Sequence, residues 1–128
     1  MQKSLLTAKM VLIVGIFILA SCTDKYVTQP FVYTPPVPPG YQYSLTTDVQ
    51  PIFDGKCIQC HNTNSNKPPD LTAGKSYNSI MSMSLVDTLN PQSSTLYKEM
   101  YDGTMSGYCT KQDADVVLKW ITQGAKNN

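Results

Sequence analysis

Two of the four cysteines and the single histidine of this 128-residue chain stand together in the run Cys57-Ile-Gln-Cys60-His61. Thiolate sulfur and imidazole nitrogen are strong ligands for transition metals. Two cysteines three positions apart, followed at once by a histidine, also form the C-x-x-C-H pattern of covalent haem attachment. In that pattern each cysteine binds one vinyl group of the same porphyrin, and the histidine is held against the iron. The run therefore predicts one covalent haem, with Cys57 and Cys60 as thioether links and His61 on the iron.

Three other kinds of site use the same residue types. A structural zinc site needs four ligands, and the only available set is Cys57, Cys60, His61 and Cys109. A thioredoxin-like cysteine pair belongs to an α/β pattern that this sequence lacks. A plain disulfide between Cys57 and Cys60 leaves the position of His61 as a coincidence. Haem accounts for all three residues of the run and is the interpretation that we favour.

The N-terminal residues have the pattern of an export signal rather than of a folded element. A start that carries Lys3 and Lys9 precedes an uncharged apolar run, 11–19, which is short for a transmembrane helix. The run ends in Leu19-Ala20-Ser21-Cys22, which resembles the cleavage box of bacterial lipoproteins. The resemblance implies a signal peptide over residues 1–21 and lipidation of Cys22, whose acyl chains would hold the mature protein on a membrane. An ordinary secretory signal and an uncleaved anchor are the alternatives.

The residues after the signal divide into a proline-rich segment, 22–43, and one small domain, 44–128. Five prolines in the first segment favour an extended polyproline conformation. This segment is expected to be either a tether that lifts the domain off the lipid or an arm that wraps on the domain surface. All ten basic residues of the chain are lysines, balanced by nine acidic residues. Because a nucleic-acid partner needs a basic, arginine-bearing face, the composition argues against one.

The hydrophobic periodicity of the domain predicts helices and no strand, hence an all-α fold. The predicted helices are 48–60, 74–83, 94–102 and a C-terminal helix that begins after Thr110 and stops at Gly124. Thr47, with Gln50 three residues on, is the predicted cap of the first helix, and Ser93 or Ser94 that of the third. The last helix is predicted to have a capping box of Thr110 and Asp113, and an apolar face of Ala114, Val117, Leu118 and Ile121.

Over roughly residues 45–128 the chain resembles the class I c-type cytochromes, which wrap a small helical domain around one haem. Phe53 lies four residues before Cys57, where the family has an aromatic residue beside the haem. Pro69-Asp70-Leu71 resembles a Pro-x-Leu segment in which the proline carbonyl accepts the histidine ring N–H and the leucine packs on the haem. Trp120 occupies the aromatic position of the last helix, which crosses the first helix in that fold. The tail that follows is similar to the endings of many small exported single-haem domains.

The second axial ligand decides between electron transfer and chemistry at an open iron. The chain has no second histidine, and methionine is the usual choice of the family. Four methionines follow the haem motif: Met81, Met83, Met100 and Met105. Met105 lies in the loop before the last helix, which matches the ligand position of the family, although Ser106 stands where the family commonly has proline. Met105 is therefore the predicted iron ligand, and Met100 is predicted to fill the core.

With His61 and Met105 on the two faces of the iron, no position is open to a substrate, so the expected function is one-electron transfer rather than catalysis. Redox proteins are the expected partners, and the expected location is the cell envelope outside the cytoplasm, with the outer membrane favoured. The alternatives are a five-coordinate haem enzyme or gas sensor, and a cytochrome subunit of a larger dehydrogenase or oxidase complex. Cys109 is left over, and we expect either an inert thiol or a partner in an intermolecular disulfide.

Overall fold

The computed structural model describes residues 37–128, and within them the chain is helical without a strand. Its α-helices are α1 (Gln50–Lys56), α2 (Ser76–Ser82), α3 (Thr95–Tyr101) and α4 (Lys111–Thr122). A π-helical turn, Leu45–Val49, leads into α1, and a 3₁₀ turn, Pro91–Ser93, precedes α3. The all-α prediction is confirmed for this part of the chain. The predicted signal peptide, Cys22 and most of the proline-rich segment lie outside the described residues.

The helical region begins earlier than the predicted span 48–60, with the π-helical turn Leu45–Val49, and α1 ends earlier, at Lys56. Ser44 rather than Thr47 is the N-cap, because the Ser44 hydroxyl accepts the N–H groups of Thr46 and Thr47 at 3.2 and 3.4 Å. At the other end, the N–H of Ile58 reaches back five residues to the carbonyl of Phe53 at 3.1 Å, which closes the helix. The haem motif therefore lies on the turns that follow α1 and not on the helix itself.

Gln50 ties α1 to α2 and to the segment between them. Its side-chain Nε2 donates to the Leu71 carbonyl at 2.9 Å, and its Oε1 accepts the Ser76 hydroxyl at 2.6 Å. Because the amide is buried and used in these bonds, Gln50 does not form the capping box predicted with Thr47. The bonds instead fix Leu71, and with it the segment that returns from the haem motif.

The predicted capping box of the last helix is confirmed. Thr110 Oγ1 accepts the N–H of Asp113 at 3.2 Å, and Asp113 Oδ2 accepts the N–H of Thr110 at 2.6 Å. The helix ends before Gly124, whose φ of +98° is a conformation that other residues rarely adopt. The fully buried face of α4 consists of Ala114, Val117, Trp120 and Ile121, whereas the Leu118 side chain is only half-buried.

The hydrophobic core lies between α4, α3 and the π-helical turn, which α4 contacts directly. Its largest fully buried side chains outside α4 are Phe53 and Ile80, and Met100 is 4% exposed, as predicted for a core residue. Full burial of one large apolar side chain contributes about 1.5–3 kcal/mol to stability. None of the helices in residues 37–128 is long and apolar enough to span a bilayer.

Ser94 stands at the N-cap position of α3 but does not cap it. Its hydroxyl accepts the N–H of Asp87 at 2.9 Å and also lies 3.3 Å from the Asp87 carbonyl oxygen. The predicted capping role of Ser93 or Ser94 is therefore wrong, because the Ser94 side chain closes the preceding loop instead.

The end of the proline-rich segment lies on the domain. The N–H of Tyr43 donates to Gln123 Oε1 at 2.7 Å, and Gln123 Nε2 donates to the Tyr41 carbonyl at 2.9 Å. The Tyr43 side chain is buried. For residues 41–43, an arm on the domain surface describes the structure better than a free tether.

Candidate functional site

A cavity of about 610 Å³ opens beside α1 and α3, and every residue that the sequence predicted to bind the cofactor lies on its wall. Cys57, Cys60 and His61 come from the turns after α1, and Met105 comes from the loop between α3 and α4. The three residues matched to family positions around the haem and its histidine also line the cavity: Phe53, Pro69 and Leu71. Further apolar walls come from Leu85 and Leu96. The fold thus brings the predicted site residues together from both halves of the domain.

His61 is oriented by two main-chain contacts and one side-chain contact. Its N–H donates to the Cys57 carbonyl at 2.9 Å, and its carbonyl accepts the N–H of Leu71 at 2.9 Å. The ring Nδ1 lies 3.1 Å from the carbonyl oxygen of Lys67. A proton on Nδ1 would donate to that carbonyl and leave Nε2 free to bind a metal.

The carbonyl that faces the His61 ring is not the one that the family resemblance implied. The resemblance implied the Pro69 carbonyl, whereas the structure places the carbonyl of Lys67 there. The turn after the motif accounts for this, since the N–H of Ser65 bonds to the Asn62 carbonyl at 2.9 Å and returns the chain to the ring before Pro69 is reached. Pro69 lines the cavity beside it.

The cysteines of the motif are free thiols in different surroundings. Cys57 is half-buried and Cys60 is exposed. Burial raises the pKa of the Cys57 thiol to about 11, and the nearby Cys109 and Asp113 act in the same direction. The Cys57 thiol is therefore neutral near pH 7, whereas metal coordination requires a thiolate.

The zinc alternative finds no support in the geometry. Within residues 37–128, which include all four of its candidate ligands, no three His, Cys, Asp or Glu side chains are grouped closely enough to hold a metal ion. A haem site has a different requirement, because the porphyrin nitrogens fill four positions and the protein supplies one or two axial ligands.

Three methionines, and not one, lie on the cavity wall. Met105 is half-buried, Met100 is 4% exposed and Met83 is 43% exposed. The sequence placed Met83 on or near a helix, and the structure has it as the C-cap residue that follows α2. The next residue, Ser84, has a φ of +53°. Nothing in the hydrophobic pattern shows that the chain turns Met83 toward the cavity.

Cys109 also lies on the cavity wall, half-buried. Its Sγ is 3.2 Å from the Met100 carbonyl oxygen in α3 and 3.4 Å from the Met105 carbonyl oxygen, so the thiol can donate to either carbonyl. Burial raises the pKa of the Cys109 thiol. A half-buried thiol that already has hydrogen-bond partners is what we expect of an inert cysteine.

The end of α1 is joined to the start of α4 by an ion pair. Lys56 Nζ bonds to Asp113 Oδ2, the same oxygen that accepts the N–H of Thr110 in the capping box. Lys56 stands next to Cys57, so the pair fixes the haem motif relative to the last helix. Lys67 is exposed at another part of the cavity rim.

The cavity fits a haem by size, polarity and donors. Small-molecule and cofactor sites are usually apolar clefts of about 300–1,000 Å³ with a few polar groups, and this cavity has that volume and that character. Phe53 and Leu71 supply buried apolar walls, His61 supplies an imidazole whose Nδ1 is already bonded, and Met105 supplies a thioether. No protein-family model, no curated protein and no solved structure matches this chain, so the case for the site depends on its own geometry.

Proposed function

We propose that this protein is a single-haem c-type cytochrome that carries one electron at a time between redox proteins. The proposal depends on one observation: the same cavity is lined by Cys57, Cys60, His61 and Met105. Two thiols, one imidazole and one thioether are the groups that a covalent, six-coordinate haem requires. The resemblance of the chain to the class I c-type cytochromes is part of the support for this proposal.

Each residue then has a defined part. Bound haem supplies an iron that alternates between two oxidation states. Cys57 and Cys60 would hold the porphyrin by thioether bonds, and His61, whose Nδ1 contacts the Lys67 carbonyl, would bind the iron. Met105 would be the second protein ligand of the iron and would leave no position for a substrate, which favours electron transfer over catalysis. The buried side chains of Phe53 and Leu71 would help to exclude water from the haem.

We further propose that the protein is a lipoprotein of the bacterial cell envelope, held on a membrane through Cys22. The support is the sequence Leu19-Ala20-Ser21-Cys22 after a short apolar run. C-type haem is attached outside the cytoplasm in the family that the chain resembles, so an exported chain and a haem motif agree with each other.

The test is covalent haem content in a host that matures c-type cytochromes. Wild-type protein should retain its haem through denaturation and acid–acetone extraction, and its mass should exceed that of the chain by one haem. Cys57→Ser with Cys60→Ser should lose covalent haem, while the matched control Cys109→Ser should retain it. A colourless wild-type protein that contains zinc would contradict the proposal.

The second candidate, a five-coordinate haem enzyme or gas sensor, is favoured by one observation. Ser106 follows Met105 where the family has proline, so the loop lacks that restraint. Carbon monoxide binding separates the two candidates, because reduced wild-type protein that binds it readily has an open iron.

A further inference from the structure

Glu99 makes three of the hydrogen bonds that fasten the loop that carries Met105 to α3, and the Lys98 carbonyl accepts another from the N–H of Gly103 at 2.8 Å. The carboxylate Oε2 of Glu99 accepts two hydrogen bonds from Thr104, one from its N–H at 2.9 Å and one from its hydroxyl at 2.7 Å. The main-chain carbonyl of Glu99 accepts the N–H of Met105 at 3.1 Å. Glu99 therefore holds both Met105 and the residue directly before it.

The residue before Thr104 lies directly against Glu99. A Cβ added to Gly103 would be 2.6 Å from Glu99 Cα and 2.7 Å from Glu99 Oε2, closer than real Cβ atoms approach. Only glycine permits this approach of the loop to the helix. The close approach is independent of the hydrogen bonds and brings the loop to the same residue.

Glu99 also faces the site. It is half-buried on the cavity wall, which the half-buried Met105 and the exposed Thr104 also line. Hydrogen bonds to an ionised carboxylate are roughly twice as strong as those between neutral groups. At the far end of the loop the restraint is weaker, since Cys109 Sγ is 3.4 Å from the Met105 carbonyl oxygen but 3.2 Å from that of Met100, and a thiol is a weak donor.

We infer that Glu99 is the positioning residue for the axial methionine: its carboxylate clamps Thr104 and its carbonyl clamps Met105, so that the Met105 thioether is held toward the iron. The inference depends on the proposed function, because it concerns the ligand that the proposal assigns to Met105. Glu99 would act through the loop and not by binding the iron itself. Removing its carboxylate should let Met105 leave the iron more often, without changing the covalent haem.

The experiment compares variants of the haem-loaded protein by two measurements. One is the weak near-infrared band of the bond between oxidised iron and methionine sulfur. The other is the rate of cyanide binding to the oxidised protein, which requires the methionine to leave. Glu99→Ala should weaken the band and speed cyanide binding about tenfold, the factor that corresponds to one hydrogen bond of ordinary strength to a charged group. Glu99→Gln retains an oxygen acceptor of the same shape and should stay within about threefold of wild type.

Thr104 gives a milder pair of variants that decides the matter if Glu99→Ala does not load haem. Thr104→Ala removes the hydroxyl bond and should speed cyanide binding, whereas Thr104→Ser retains it and should resemble wild type. The matched control is Asp87→Ala. Asp87 Oδ1 accepts the N–H groups of Leu89 and Asn90 at 2.9 and 3.0 Å. Asp87 thus stabilises a loop as Glu99 does, but it does not line the cavity. Its loss should lower stability and leave the band and the cyanide rate unchanged.

The outcomes separate the inference from the proposed function. If wild type shows the band and both Glu99→Ala and Thr104→Ala bind cyanide at the wild-type rate, the inference is wrong and the Met105 assignment is unaffected. If Asp87→Ala accelerates binding as much as Glu99→Ala does, the effect is general destabilisation and the inference is again wrong. If wild type lacks the band, the Met105 ligation fails, and the inference fails with it.

Discussion

The ring Nδ1 of His61 lies 3.1 Å from the main-chain carbonyl oxygen of Lys67, six residues further along the chain. The acceptor belongs to the backbone, so the path of the loop between the two residues sets the contact and the Lys67 side chain does not. A hydrogen bond from Nδ1 to a carbonyl makes the imidazole a better electron donor, which stabilises oxidised iron.

We therefore expect Lys67→Ala to leave the reduction potential nearly unchanged. One glycine inserted after Asn64 should displace the carbonyl and raise the potential by roughly 30–60 mV, since 59 mV corresponds to a tenfold change for one electron. Protein-film voltammetry measures both variants. Equal potentials for wild type and the insertion variant would show that the carbonyl does not tune the iron.

Substitution of each cavity methionine identifies the axial ligand. Met105→Ala should abolish the near-infrared band, lower the potential and open the iron to carbon monoxide, because thioether sulfur favours reduced iron. Met100→Ala should keep the band and cost about 2–5 kcal/mol of unfolding free energy, because Met100 is 4% exposed. Met83→Ala should keep the band with little loss of stability, since Met83 is 43% exposed. Loss of the band in either control would assign the ligand to that methionine.

The part of the fold that could be predicted depends on contacts close in sequence. The capping box of Thr110 and Asp113 joins residues three apart, and the pattern alone was sufficient to place the start of α4. The haem motif is likewise contiguous, so its residues could be named before their surroundings were known. Helix propensity and spacing record interactions of this range.

The features that the sequence did not reveal depend on where the chain goes after it leaves a helix. Ser94 is a residue type that often caps helices, but its hydroxyl accepts the N–H of Asp87 instead. Lys67 rather than Pro69 faces His61 because of a turn at residues 62–65. Met83 reaches the cavity because α2 ends at that residue. In each case the partner is fixed by tertiary packing, which hydrophobic periodicity does not encode.

The ion pair and the capping box at Asp113 can be separated by substitution. Asp113→Ala removes both and should cost about 1–2 kcal/mol, as the loss of a helix cap usually does. Lys56→Ala removes only the pair and should cost less than about 1 kcal/mol, because the Lys56 side chain is 35% exposed. Urea unfolding with and without added salt measures both costs. Salt should reduce the cost of Lys56→Ala, and an unaffected cost would mean that Lys56 stabilises by packing alone.

Asp70 should make the domain less stable in acid. Hydrogen bonds from Thr72, and further contacts with Thr63 and Lys75, lower the pKa of Asp70 although burial opposes them. A folded-state pKa below the unfolded value, about 3.9, gives stability that is present above pH 4 and is lost as the pH falls through the folded-state pKa. Asp70→Asn should flatten this part of the stability profile, measured as the urea midpoint between about pH 6 and pH 3. Identical profiles for the variant and wild type would show that Asp70 does not contribute.

Wild-type protein should fractionate with membranes when it is expressed in a bacterial host. Cys22→Ser removes the thiol that lipidation requires and should leave unprocessed precursor. Cys109→Ser, which keeps Cys22, is the control and should fractionate as wild type does. Normal processing of Cys22→Ser, with release of the protein, would mean that an ordinary secretory signal precedes the domain.

The cavity has one wall from the turns after α1 and another from the loop before α4, with α2 and α3 between them along the chain. Thioether bonds would anchor the haem to the first wall as soon as it is attached, while the iron–methionine bond would form only when the distant loop arrives. The cofactor would then act as a cross-link that closes most of the domain into a ring. Closing that ring would cost chain entropy, which weakens the iron–methionine bond that closes it. This bond, the last to form, should therefore also be the first to open as the domain is denatured.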